Sequence, residues 1–128
     1  KIISRLVEEL NFALELICVP TQRESNGLAM SSRNLRLTAE QRTQATVFYR
    51  SLVFAKTELL AGMDFKSVHE RVAQMCAREP GVKLEYFTLA DRENLNRLES
   101  VNEASRSILL LAGFVAGIRL IDNMFVEA

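Results

Sequence analysis

The sequence concentrates its chemistry in one short run, Met30-Ser31-Ser32-Arg33-Asn34. Two adjacent hydroxyls and the backbone N–H groups around them donate hydrogen bonds to anionic oxygens. The Arg33 guanidinium can fork onto two such oxygens at once. This set of donors suits the grip on a phosphate group. The lead into it, Asn26-Gly27-Leu28-Ala29, opens on a dipeptide that marks a tight turn with positive φ. Leu28 and Met30 are apolar, and suit either packing under a nucleotide base or anchoring the loop. A bare Ser-Ser-Arg run also fits a solvated loop whose serines cap a turn, so residue types alone leave both readings open.

The elements around this run have to position it. Residues 21–37 form a polar stretch longer than an ordinary connector, and loops beyond about 12–15 residues are usually functional or disordered. Upstream, Ile2, Ile3, Leu6, Val7 and Leu10 fall on one face of a helix that closes at Glu9–Asn11. The apolar run Leu14–Val19 then reads as a short strand ended by Pro20. A helix leading into an apolar strand is half of a βαβ unit. Because Lys1 already lies inside the helical pattern, the start reads as a truncation.

Downstream, Thr38 caps a long helix with Gln41 as its capping-box partner. Ala45, Phe48, Leu52, Ala55 and Leu59 form its inward stripe, and Gly62 stops it. Asp64 begins a second helix with Phe65, Val68, Val72 and Cys76 inside, ended by Pro80-Gly81. Val82, Leu84 and Tyr86 then alternate with charged residues as in a half-buried strand. A short helix is expected over Asp91–Leu98. A hairpin of Ile108–Ala112 with Ile118–Val126 follows, its turn bracketed by Gly113 and Gly117. The fold class is therefore α+β: two helices packed on a small, mostly antiparallel sheet, preceded by a helix–strand piece.

Composition narrows the partners. Apolar residues at 48% and charged residues at 25% are ordinary for a globular chain of 128 residues. Basic and acidic residues balance at 16 each, which gives no basic face for nucleic acid. No apolar run approaches the about 20 residues that a membrane helix needs. Cys18 and Cys76 lack metal spacing and read as reduced core cysteines of a cytosolic protein. His69, the sole histidine, reads as a surface or boundary residue of the second helix. Asp122-Asn123 reads as a turn or sheet-edge fixture, since short polar side chains bind local backbone. Glu8, Glu9, Glu99 and Glu103 read as solvated faces, and Met63 and Met75 as gap fillers.

The run Val19-Pro20-Thr21, Arg23-Glu24, then Asn26 through Asn34 and Leu37 closely resembles the signature of the pantothenate synthetase (pantoate–β-alanine ligase) family. Leu109-Leu110-Leu111-Ala112 and Gly117-Ile118-Arg119-Leu120-Ile121-Asp122-Asn123 match in the same order, as do Leu84-Glu85-Tyr86, Ala90-Asp91 and Leu95. Asn26 stands where the family often has Asp, which preserves the turn. The resemblance implies that Ser31, Ser32 and Arg33 contact ATP phosphates, as the counterpart of the KMSKS loop of class I aminoacyl-tRNA synthetases. It implies that the backbone of Met30 helps hold adenine and that of Gln22 makes a second nucleotide contact. The implied reaction joins pantoate to β-alanine through pantoyl adenylate, with ATP and Mg2+, in the cytoplasm, and the intact enzyme is expected to be a homodimer. Residues 1–20 would be the remnant of a Rossmann-like N-terminal domain that carries a His-x-x-His motif, absent here. Residues 21–37 would be the ATP-phosphate loop and hinge, and residues 38–128 a C-terminal lid. Catalytic residues and magnesium ligands would lie outside this sequence. The strand Leu14–Val19, without neighbours, could pair with a second copy. The alternative is a free-standing nucleotide-binding or interaction module.

Overall fold

The computed structural model describes residues 1–101 and 106–127. In chain order the elements are α1 (Ile2–Glu9), a 3₁₀ turn (Ser32–Arg36), α2 (Ala39–Leu60), α3 (Phe65–Arg78), β1 (Val82–Asp91), β2 (Ser107–Val115) and β3 (Ile118–Val126). The strands make one sheet in the order β1-β2-β3. Both pairings are antiparallel, so the sheet is wholly rather than mostly so. Helix α2 packs on β2 and β3, and α3 on β1, with one apolar core between helices and sheet.

Local signals account for most of this. The Thr38 hydroxyl accepts from the Gln41 N–H at 3.2 Å, and the Gln41 side chain accepts from the Thr38 N–H at 2.9 Å. Both bonds satisfy donors that a helix start leaves free. The stripe Ala45, Phe48, Leu52, Ala55 and Leu59 is buried throughout, and each large apolar side chain so buried contributes about 1.5–3 kcal/mol. The Asp64 carboxylate caps α3, accepting from the Ser67 N–H at 2.9 Å and the Ser67 hydroxyl at 2.7 Å. Val68, Val72 and Cys76 point into the core.

The sheet departs from the simple alternation. A bulge between Leu84 and Tyr86 shifts the register of β1 against β2. An extra residue reverses which face the side chains take. Tyr86, expected inside with Val82 and Leu84, is exposed, and Phe87 fills the core instead. The β2–β3 turn is Ala116-Gly117, with φ of 48° and 79°, the doubly positive pair that a tight hairpin favours. Gly113 is not part of that turn. It lies inside β2, where a Cβ would stand 2.6 Å from the Phe48 ring and 2.9 Å from the Lys83 carbonyl oxygen.

Three further expectations are corrected. The segment 91–98 is a turn, not a helix. The Asp91 carboxylate accepts from the N–H groups of Glu93 at 2.7 Å and Asn94 at 2.9 Å, which draws the backbone off a helical path. Leu14–Val19 forms no strand, because no neighbouring strand pairs with it among the described residues. Leu14, Leu16, Ile17 and Val19 are exposed. Cys18 is exposed with them, so only Cys76 is a core thiol. Helix α1 forms, yet none of its residues is fully buried, and of its apolar face only Val7 is half-buried. Where a half βαβ unit is expected over residues 1–20, the structure has a helix followed by a segment without regular secondary structure. Glu103 lies outside the described residues.

Replacing Gly113 by Ala should overpack the Phe48 contact and cost about 1–3 kcal/mol. The loss would appear as a lower urea midpoint at unchanged slope, and an unshifted midpoint would refute the close fit. The hydroxyl and N–H of Ser67 hold the Asp64 carboxyl below the usual aspartate range. A lowered folded value stabilises at and above the ordinary range, and that contribution disappears as pH falls through the folded value. Asp64→Ala should therefore unfold at lower urea than the parent at neutral pH, with the gap closing in strong acid. An equal gap at both extremes would contradict the cap.

Candidate functional site

Residues 22–30 fold back on themselves as a small clasp. Arg23 and Ala29 bridge antiparallel. The Glu24 N–H donates to the Leu28 carbonyl at 2.8 Å and the Met30 N–H to the Gln22 carbonyl at 2.9 Å. The turn between them needs Gly27. Its φ is +89°, and a Cβ there would sit 2.1 Å from the Tyr49 ring. Asn26 closes the turn by accepting from the Leu28 N–H at 3.1 Å. Leu28 is buried in the core, which anchors the loop, and it also lines the cavity between loop and sheet.

Beyond the clasp, Ser31 caps the 3₁₀ turn by accepting from the Arg33 N–H at 3.2 Å. Asn34 is buried and ties the two limbs together. Its amide nitrogen donates to the Glu24 carboxylate at 3.1 Å and to the Ala29 carbonyl at 3.0 Å. Its backbone carbonyl accepts from the Arg42 Nε–H at 3.1 Å, which joins the turn to α2.

An ion pair ties the loop to β3. Arg23 binds Asp122 through both terminal nitrogens, at 2.8 and 2.9 Å. The two side chains are 20% and 4% exposed. The guanidinium also donates to the Gly27 carbonyl at 3.0 Å and the Asn123 carbonyl at 3.1 Å, and lies 4.6 Å from the centre of the Tyr49 ring. The hydrogen bond to Asp122 raises the Arg23 pKa against the opposing effect of burial, so the charge stays fixed.

A cavity of about 270 Å³ opens between the loop and β3. Met30, Ser31 and Arg33 line its rim, with Phe48 and Leu120 among its apolar walls. Arg33 is exposed and donates to the Arg119 carbonyl at 3.1 Å. Arg119 in turn meets the Glu85 carboxylate at 2.6 Å. Of the residues singled out in the sequence, Met30, Ser31 and Arg33 come together here. Ser32 is exposed on the 3₁₀ turn outside the lining, and Gln22 contributes its carbonyl to the clasp while its side chain faces outward.

The sequence alone gives no site role to Arg23, Tyr49 and Asp122, and none to Asn34 within its run. Asp122, expected as a turn or sheet-edge fixture, does lie on the edge strand β3 and accepts from the Asn123 N–H at 2.7 Å, but it also binds Arg23, 99 residues earlier in the chain. The available signal was phase: Ile118, Leu120 and Asp122 share the inward face of β3, and a carboxylate on such a face requires a cation. His69 is half-buried with its ring 6.0 Å from Phe65 and 5.9 Å from Phe87, a boundary position as expected. Glu8, Glu9 and Glu99 are exposed, and Met63 and Met75 pack against the core. Among the described residues no three His, Cys, Asp or Glu side chains cluster as metal ligands, and no helix is long and apolar enough to cross a membrane.

The family model for pantoate-beta-alanine ligase matches residues 1–125. A pantothenate synthetase from Chlorobium phaeovibrioides is 42% identical over 123 residues, which take in 95% of this chain and 42% of that protein. The crystal structure of a pantothenate synthetase from Thermus thermophilus superposes with a TM-score of 0.86 at 32% identity, covering 98% of this chain and 45% of that one. A pantoate-beta-alanine ligase from Francisella tularensis, solved in complex with beta-gamma ATP and beta-alanine, superposes with a TM-score of 0.59 at 27% identity, covering 98% and 39%. The chain spans less than half the length of these relatives. On a match that runs through nearly all of its residues, the chain belongs to the pantoate-beta-alanine ligase family.

Proposed function

We propose that this chain supplies the ATP-phosphate loop and lid of a ligase that condenses pantoate with β-alanine, giving pantothenate, AMP and pyrophosphate through pantoyl adenylate. The observation that carries this reading is the meeting of Met30, Ser31 and Arg33 on the rim of one cavity, within a loop fastened to the sheet. In the proposed reaction the pantoate carboxylate attacks the α-phosphorus of ATP in line, and the bond to the pyrophosphate oxygen breaks. The amine of β-alanine then displaces AMP from the acyl phosphate. Negative charge grows on the α-phosphate and on departing pyrophosphate. Donors that strengthen as that charge grows lower the barrier. Arg33 would leave the Arg119 carbonyl and fork onto phosphate oxygens, joined by the Ser31 and Ser32 hydroxyls. The backbones of Met30 and Gln22 would meet the nucleotide.

In this reading residues 21–37 are the loop and hinge, and residues 38–128 the lid. Residues 1–20 belong with a Rossmann-like domain that brings the His-x-x-His motif and the pantoate pocket. The residues described here do not fit magnesium, since no carboxylate cluster faces the cavity, so the ion would be held elsewhere in the enzyme or by the triphosphate itself. A cytoplasmic homodimer is the proposed setting of the intact enzyme. The exposed apolar run Leu14–Val19 gives the isolated chain a surface for a second copy.

In a full-length ligase that carries these residues, Arg33→Ala should slow AMP release by about 10²–10³-fold, with release still dependent on pantoate and β-alanine. Release indifferent to Arg33 would remove the site. The 128-residue chain alone should form no pantothenate, and turnover by it would overturn the division of labour. Sedimentation of the isolated chain should show self-association that weakens when Ile17 is replaced by Asp, and a strict monomer would exclude the orphan-segment contact.

A further inference from the structure

We infer that Arg23 and Asp122 form a latch that sets the position of the Met30–Arg33 run against β3, so that both are positioning residues for the phosphate grip. The inference rests on the phosphate-loop reading above. All four terminal N–H bonds of Arg23 are engaged: two with Asp122, one with the Gly27 carbonyl and one with the Asn123 carbonyl. One side chain thus fixes the tip of the clasp, its own limb and the edge strand relative to one another. The Tyr49 ring of α2 covers the guanidinium at 4.6 Å.

The clasp carries that position forward. Arg23 bridges Ala29, and the next N–H, of Met30, is held by the Gln22 carbonyl at 2.9 Å. Asn34 holds the far limb through Glu24 and Ala29. A shift at Arg23 therefore moves the cavity rim with it. The loop touches β3 at a second place, where the exposed Arg33 donates to the Arg119 carbonyl. The two contacts differ in kind. The Asp122 contact is part-buried, charged and doubled, whereas the Arg119 contact is single and open to solvent. Arg33 can exchange the carbonyl for a phosphate while the latch keeps its backbone in place.

The test uses a full-length ligase carrying this chain, with Asp122→Asn and Arg23→Lys beside the parent. Asparagine keeps the shape and removes the charge. Lysine keeps the charge, but its single head cannot serve Asp122, Gly27 and Asn123 together. Hydrogen exchange followed by mass spectrometry should quicken by about tenfold or more in peptides from 21–37, with those from α2 and β2 unchanged. Steady-state AMP release should lose about ten- to a hundredfold in kcat/KM for ATP, the scale of a small misplacement, with the KM for pantoate unchanged. Unchanged exchange in the loop would overturn the latch. Equal acceleration in α2 would make the pair a support of the whole fold instead, and quickened loop exchange with unaltered ATP kinetics would remove its positioning role. A parent enzyme indifferent to Arg33→Ala would sink the phosphate reading alone, since the exchange arm judges the latch without it.

Discussion

A carboxylate on the inward face of a strand has to be matched, because an unpaired buried charge costs several kcal/mol. Asp122 is such a group, set at the position where the alternation of β3 calls for an apolar side chain. Arg23 meets that demand from the other end of the chain, and the loop takes its place from the arginine. The clasp at Gly27, the rim at Met30 and the reach of Arg33 all follow from where Arg23 is held. A shape-matched apolar pair could offer comparable stability there. It would not tie two backbone carbonyls and a strand to one planar group, and that geometric tie is what a polar pair adds.

Helix α2 sets the spacing between loop and sheet. Phe48 and Tyr49 are neighbours in sequence and leave the helix in different directions. Phe48 presses on the sheet at Gly113 and Tyr49 on the loop at Gly27, each at a point where only hydrogen fits. The two glycines let the helix lie close to both surfaces at once. Arg42, nearly two turns earlier on α2, holds the Asn34 backbone carbonyl. A single rigid element, started by the Thr38 capping box, thereby measures the height of the cavity on one side and the depth of the core on the other.

The capping and periodicity that define α2 and α3 were legible because they are local: Thr38 with Gln41, Asp64 before an apolar stripe, Gly62 after one. The hairpin was legible in outline, and its turn lay between the expected brackets. What escaped depends on partners far away in sequence. A bulge at Glu85 reverses the faces of β1, and nothing in the alternation of Val82, Leu84 and Tyr86 announces it. The run Leu14–Val19 has the composition of a strand, but a strand also needs a neighbour to pair with. The donors Ser31 and Arg33 were visible by type, and the loop by its length and its Asn-Gly turn. The groups that hold them, Arg23 and Asp122, lie 99 residues apart and were not paired by reading along the chain.

The central claim concerns a distance: how close the phosphates of ATP come to the Ser31–Arg33 run. A crystal structure of a full-length ligase carrying this chain, bound to a non-hydrolysable ATP analogue, measures it directly. The Arg33 guanidinium and at least one of the Ser31 and Ser32 hydroxyls should lie about 2.7–3.2 Å from phosphate oxygens, with Arg23 still on Asp122. A triphosphate bound with Arg33 left on the Arg119 carbonyl and no donor of this run within reach would contradict the claim.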